Sequence, residues 1–415
     1  MSIYYVSANG CDKNDGLTPE TAWKSISKVN ETIAGGDEVR FRCGDTFYGK
    51  IWAKDGISAD KPTTYTSYGE GKKPVVCEYK IARSGAWEKV SENVYKLDMA
   101  DTSKFDGNTT DIDSNAGFIK VDGKIFYVKR VRLEDLSQQW DFFCDDDNLT
   151  LYVYSEKCPC EMAKEIKIAC NVGCLCFATN IKVTNIVFNG TGAHGINGTT
   201  GGAYIENCEF HEIGGSRLPF YPHPDTRYGN GVECWSNSHD VTIKGCKFSD
   251  VYDVAFTMQG TEVKTSWKNI HFVDNIIWNC TQAFEIWSSG DVPNTGFEEC
   301  YFQRNTCINS GNCWGGVARP NKDVSAHLLV YHLDCPLCDV TVSDNYFYIA
   351  NVSSIYKRGG PRELPETYKI YGNTFVCPKG QDIISREGNT DEEFEAFRKK
   401  IYENNTVIDF IDYEK

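Results

Sequence analysis

The chain has 415 residues, of which 41% are hydrophobic and 13% aromatic, enough to bury a core and too many for bulk disorder. A formal charge of −15 excludes an electrostatically driven nucleic-acid binder, which needs basic surface to release counterions, and disfavours a strongly polyanionic substrate. No apolar run approaches membrane-spanning length, so neither nucleic acid nor a membrane is expected as a partner.

The chain opens on an alternating strand over residues 3–7, without the basic and apolar regions of a leader. Thr18, Pro19 and Glu20 then read as a helix N-terminus, and Trp23, Ile26, Val29 and Ile33 follow on one face before Gly35 and Gly36. Residues 37–42 form a strand. A short amphipathic helix ahead of a strand series suits a cap on a solenoid end, and residues 1–77 are taken as cap and first rungs. Residues 78–170 differ, with short alternating runs such as Phe118–Val121 and Leu149–Tyr154 between polar turns, as in an inserted antiparallel β subdomain.

From about residue 175 a repeat appears. Triplets beginning at Asn185, Cys208, Cys246, Asn275, Asn305, Asn345 and Asn373 each follow a short strand and recur at intervals of 23 to 40 residues. The Asn/Cys column suggests a stacked turn residue, its amide bonded to the neighbouring rung. Leucine-rich repeats would need a Leu framework that is absent. The pattern predicts an all-β, right-handed parallel β-helix over residues 171–388. A C-terminal helix within residues 389–415 starts at a capping box around Thr390 and Glu393 and presents Phe394, Phe397 and Ile401.

The 19 cysteines are an odd number, and many fall inside strand-like runs, so they read as small buried core residues. Free thiols and the absence of a leader favour a cytoplasmic location, or a secreted one if a leader has been removed. Cys335 and Cys338 form an isolated CxxC with no second pair at zinc spacing, and no metal site is expected.

Three strands carry the candidate chemistry. Alternation turns Val232, Cys234, Phe256, Met258, Phe284 and Ile286 inward, and Glu233, Trp235, Thr257, Gln259, Glu285 and Trp287 outward toward solvent. Glu233 and Glu285, two rungs apart, have backbones roughly 9–10 Å apart at the spacing of parallel strands, near the carboxyl separation of inverting glycosidases. Asp253 shares the outward parity. These three acids are the candidate catalytic residues, against the plainer alternative of a solvated face. Trp235 and Trp287 are candidate stacking platforms and Gln259 a hydroxyl ligand. Insertions over residues 214–229 and after Trp314 add Arg227, Arg319, His223 and Asp225 as candidate substrate ligands. Arg319, Lys357 and Arg358 are also candidate ligands for a carboxylated sugar, or bases in an elimination.

The segments Tyr4–Gly10 and Asn14–Trp23, continued by Gly36–Phe41 and Gly44–Phe47, resemble the N-terminal cap of bacterial pectin-lyase-like β-helix proteins. The block holding Trp87–Val90, Asn93–Tyr95 and Leu149–Tyr154 is similar to the insertion of glycoside hydrolase family 141 and its relatives. The resemblance implies a β-helix fold and carbohydrate-directed chemistry. It also implies a catalytic aspartate pair, of which only Asp253 has a counterpart in place, with glutamates as its neighbours. The expectation is a glycoside hydrolase acting on an oligosaccharide or polysaccharide and requiring no cofactor. The alternatives are a polysaccharide lyase acting on a uronate, with Ca²⁺ as a possible aid, and a non-catalytic glycan-binding solenoid.

Overall fold

The computed structural model describes residues 1–223, 225–260, 264–288, 293–319, 324–331, 337–358, 366–386 and 392–410. Each coil of the chain contributes one short strand to each of three sheets. Sheets A and B hold ten strands and sheet C nine. Pairing between successive coils is parallel, as between Val241–Ile243 and Ile270–Phe272 in sheet A and between Val232–Trp235 and Phe256–Gln259 in sheet C. The fold is a right-handed parallel β-helix.

Alternation drives this arrangement. Val39, Phe41, Val183, Ile243 and Phe272 point inward and are fully buried, whereas their strand neighbours stay partly accessible. In-register stacking repeats like on like along the axis. Phe188, Phe210 and Phe248 of sheet B stack with centroids 5.2 and 4.6 Å apart.

The corner between sheets A and B fixes the register. A residue with positive φ ends each turn: Asn207 (52°), Gly245 (62°), Asp274 (59°), Arg304 (53°) and Asp344 (58°). The next side chain turns inward. Asn275, Asn305, Asn345, Asn373 and Asn405 form a buried ladder in which each Nδ2 donates to the Oδ1 of the next at 2.9–3.0 Å. Each ladder Oδ1 from Asn305 onward also accepts the backbone N–H of the residue before it in the column. Cys208 and Cys246 continue the column, the Cys246 N–H donating to Asn275 Oδ1 at 2.8 Å. The first triplet is displaced by one residue from expectation. Glu209 pairs with Val187, so Ile186 occupies the column and Asn185 (φ 59°) is the left-handed turn residue.

The N-terminal cap also departs from the sequence reading. Thr18 caps only a 3₁₀ turn, Pro19–Thr21, and the α-helix is Ile26–Thr32, capped by Ser25. Trp23 is not helical. Its N–H donates to Tyr5 O at 2.9 Å, its carbonyl accepts from Ser7, and its indole stacks on Tyr4 at 4.4 Å. Edge pairing to the first strand outweighs one more helical turn.

The solenoid is interrupted between Val75–Cys77 and Leu175–Cys176 by two five-stranded sheets with their own core, including Leu97, Phe142, Leu151 and Ile168. Pairing there is antiparallel except where Lys129–Arg130 runs parallel to Phe142–Phe143. At the other end, helix Glu392–Asn404 buries Phe394 and Ile401. Thr390, at the expected capping box, lies outside the described residues. Beyond the helix the chain does not trail off but adds strand Thr406–Phe410 to sheet B. The described cysteines are free thiols, most of them buried, and Cys338 is one of these; Cys335 lies outside the described residues.

The ladder makes a quantitative prediction. Asn345→Ala strands buried donors and acceptors on both neighbouring coils and should cost about 2–4 kcal/mol. Chemical denaturation measures this, and an unchanged midpoint would remove the ladder from the forces holding the coils together.

Candidate active site

Sheet C holds the candidate site because its outward columns are roofed by chain excursions. Val232, Cys234, Phe256, Met258, Phe284 and Ile286 point into the core, as alternation requires. Pairing places Glu233 beside Thr257 and Thr257 beside Glu285, and in the next column Trp235 beside Gln259 and Gln259 beside Trp287. The expectation that these side chains face open solvent is corrected. Glu233, Thr257 and Glu285 are only 5, 0 and 7% exposed, while both indoles are half-buried. The two glutamates and the two indoles line a cleft of about 860 Å³, together with Leu218, Tyr221, Asp225, Tyr252, Asp253 and Arg319. The Thr257 hydroxyl, between the two glutamates, has no hydrogen-bond partner.

The carboxylates sit in distinct surroundings. Glu233 Oε2 accepts from Asn230 Nδ2 at 2.8 Å and from Gln259 Nε2 at 2.6 Å. Its Oε1 faces His194 Nε2 at 3.6 Å. The Asn230 backbone N–H donates to His194 Nδ1 at 3.1 Å, so the neutral ring carries its proton on Nε2, toward Glu233. Tyr228 packs edge-on against this imidazole at 4.9 Å. Asp253 is ion-paired and hydrogen-bonded to Arg319 Nη1. Burial pulls the Arg319 guanidinium down, but the Asp253 charge and hydrogen bond together with Tyr252 and Glu285 outweigh it, and the net shift is upward. Glu285 is pushed up to about 8, first by burial and then by the Asp253 charge, with a smaller push from Glu233, while Arg319 and Arg358 partly offset them. A carboxyl that keeps its proton near neutrality can donate it to an oxygen at the cleft floor, and an ionised carboxylate beside it can act as base or nucleophile.

The cleft brings together nine of the expected residues, Glu233, Asp253, Glu285, Trp235, Gln259, Trp287, Asp225, Arg319 and Arg358. Two others require correction. His223 is exposed on the excursion, packs against Tyr221 at 5.8 Å and is not part of the cleft wall. Arg227 reaches the wall, but its guanidinium donates to the carbonyls of Gly215, Tyr127 and Gly117 and lies over the rings of Tyr252 and Trp314. It braces the excursion against the inserted subdomain. Arg319 likewise serves Asp253. Of the second insertion, His332 and Pro320 lie outside the described residues, and His327 is buried against Ser310 and Phe347.

Sequence reasoning missed His194, Asn230 and Asn197. His194 and Asn230 each stand two residues before the inward Ile196 and Val232, and Asn197 pairs with Glu233. Extending the outward columns by one rung finds Asn197, and reading two positions ahead of each inward strand start finds His194 and Asn230.

Fold and cleft together define a right-handed parallel β-helix with a roofed carboxylate cluster on sheet C. No known family profile matches the chain. A 96-residue stretch, 21% of the chain, is 35% identical to a lacto-N-biosidase of Bifidobacterium longum subsp. longum, but spans only 6% of that protein. The solved structure of XylC with xylose superposes with a TM-score of 0.57 over 98% of this chain and 82% of that one, at 11% identity. A GH136 lacto-N-biosidase from Eubacterium ramulus superposes at 0.43 over 99% of this chain and 68% of that one, also at 11% identity.

The shift at Glu285 has a consequence for stability. Its folded pKa lies above its unfolded value, so between about 4.5 and 8 the native state holds a proton the unfolded chain has released. The stability it contributes is therefore present at low pH and lost as pH rises through that window. Glu285→Gln should gain thermal stability relative to the parent as pH increases from 5 to 9. A difference in melting temperature independent of pH would contradict the buried, protonated carboxyl.

Proposed function

We propose that the protein is a carbohydrate-active enzyme, and specifically a glycoside hydrolase, cleaving an oligosaccharide bound along sheet C. One observation carries this reading: a carboxyl raised to about 8, Glu285, shares a cleft with the Arg319-paired Asp253 and two half-buried indoles. Glycosidic cleavage needs a proton donor for the leaving oxygen and a second carboxylate for the anomeric carbon or its water. Glu285 is the donor and Asp253 the second carboxylate, oriented by Arg319. Glu233, fixed by Asn230 and Gln259 and faced by His194, accepts hydrogen bonds from sugar hydroxyls. Trp235 and Trp287 stack on the rings, Gln259 and Asp225 meet their hydroxyls, and no cofactor takes part. The sugar chemistry in the names of XylC and the lacto-N-biosidases is consistent with this assignment. Free buried thiols support a reducing compartment, and with it short oligosaccharides as substrates.

Elimination is the less favoured reading. A lyase needs cationic groups for the uronate carboxylate; Arg227 and Arg319 are both committed to protein acceptors, and of the expected cationic groups Arg358 also lines the cleft. Product absorbance from a new unsaturated bond and sensitivity to a chelator would identify it, whether or not Ca²⁺ assists. A glycan-binding solenoid without catalysis predicts affinity with no turnover.

Assay against a panel of oligosaccharides and aryl glycosides tests the hydrolase. Turnover should fall as pH rises past about 8, where Glu285 loses its proton. Glu285→Gln should reduce kcat by about 10²–10⁴ on substrates with poor leaving groups, less on activated aryl glycosides, and should abolish the alkaline limb. Asp253→Asn should be impaired on both substrate types. Full activity in both variants ends the assignment.

A further inference from the structure

The outward column of Glu233 continues toward the N-terminal cap. Asn197 pairs with Glu233, Cys176 with Asn197, and Trp52 with Cys176. Three strand spacings separate Trp52 from Glu233, about 14 Å along the axis. Exposure rises along this path, from 5% at Glu233, through the partly accessible Asn197 and Cys176, to 50% at Trp52. In the other direction the column closes. Glu285 pairs with Leu329 and Leu329 with Tyr356, which are 1 and 2% exposed and packed with Val324 and Ala326. Among the described residues, a chain bound at the carboxylates therefore has room to extend along this column toward the cap.

Trp52 is a fixed platform at that end. Its backbone N–H donates to Asn30 Oδ1 at 3.0 Å, and Asn30 Nδ2 donates to Lys50 O at 2.8 Å, which ties the two-residue strand Ile51–Trp52 to the capping helix. Lys50 Nζ lies 3.9 Å from the ring centroid and steadies the indole. A half-exposed indole is costly on a surface without a ligand, and a rigid one loses little entropy on stacking.

We propose that Trp52 is a distal sugar subsite, so that the occupant of the cleft is an oligosaccharide long enough to run from Glu285 past Asn197 to the cap, not a single sugar or a disaccharide. This rests on the glycan reading above. The test measures binding of disaccharides and hexasaccharides derived from xylan, cellulose and galactan to Glu285→Gln, in which the proposed function expects cleavage to be slowed, with and without Trp52→Ala. The expected result is a loss of about tenfold in affinity for the bound hexasaccharide and none for its disaccharide, with Trp52→Phe restoring the longer ligand. Equal hexasaccharide affinity with and without the indole overturns the subsite, as does an equal loss at both lengths, which would make Trp52 structural. If no glycan binds either protein, the glycan reading itself fails and the subsite with it.

Discussion

The buried asparagine ladder at the corner between sheets A and B is the constraint on which the rest depends. Each amide satisfies backbone groups that a tight, left-handed turn would otherwise leave unpaired in the interior, and it does so only when successive coils stand in register. Register in one sheet propagates to all three, since the coils are continuous. The columns on sheet C follow: Glu233, Thr257 and Glu285 are neighbours because Asn275 and Asn305 are. A one-residue slip would invert the faces and send the carboxylates into a core of phenylalanines.

Burying several carboxylates in one cleft is unfavourable by itself, and the surroundings divide the cost unequally. Asp253 has a guanidinium, and Glu233 has two amide donors with the His194 imidazole 3.6 Å away. Glu285 receives no such exclusive partner from its neighbouring strands, whose paired residues there are Thr257 and Leu329. Protonation is its route to lower energy, so the electrostatic asymmetry between the acids grows from which neighbour each one lacks. Asp253 and Glu233 both push the Glu285 carboxyl upward, so replacing either of them changes its titration.

The fold was legible because the solenoid repeats its own signals: inward alternation, a polar or small turn residue, and a recurring column. The inward and outward faces around Glu233, Asp253 and Glu285 followed from period-two geometry alone. Burial did not, because it comes from excursions whose shape depends on distant contacts. Arg227 looked like a ligand in a polar loop, yet its acceptors are carbonyls about a hundred residues away in sequence. Trp23 fitted a helical spacing, but pairing with the first strand claimed it. Asn185 matched the repeat by residue type and was one position early, since asparagine suits both the left-handed turn and the inward ladder.

The roof is assembled from three parts of the chain that meet at Arg227 and Trp314. Short helix Trp314–Ala318 lays its indole against Phe118 of the inserted subdomain and Tyr252 of the solenoid, at 5.0 and 5.2 Å. Gly215 has φ 94°, and a Cβ there would fall 2.5 Å from the Trp314 ring, so the excursion can cross at this point only as glycine. Arg227 then spans the junction with a planar fork that meets three carbonyls while stacking on aromatic faces, a task an ammonium cannot match. Tyr252 carries Arg227 and Arg319 on its ring, and Asp253, its neighbour in sequence, takes the charge of the second. The inserted subdomain thus reaches the carboxylates through packing: it sets the excursion, the excursion and helix set Tyr252, and Tyr252 sets the arginine that faces Asp253.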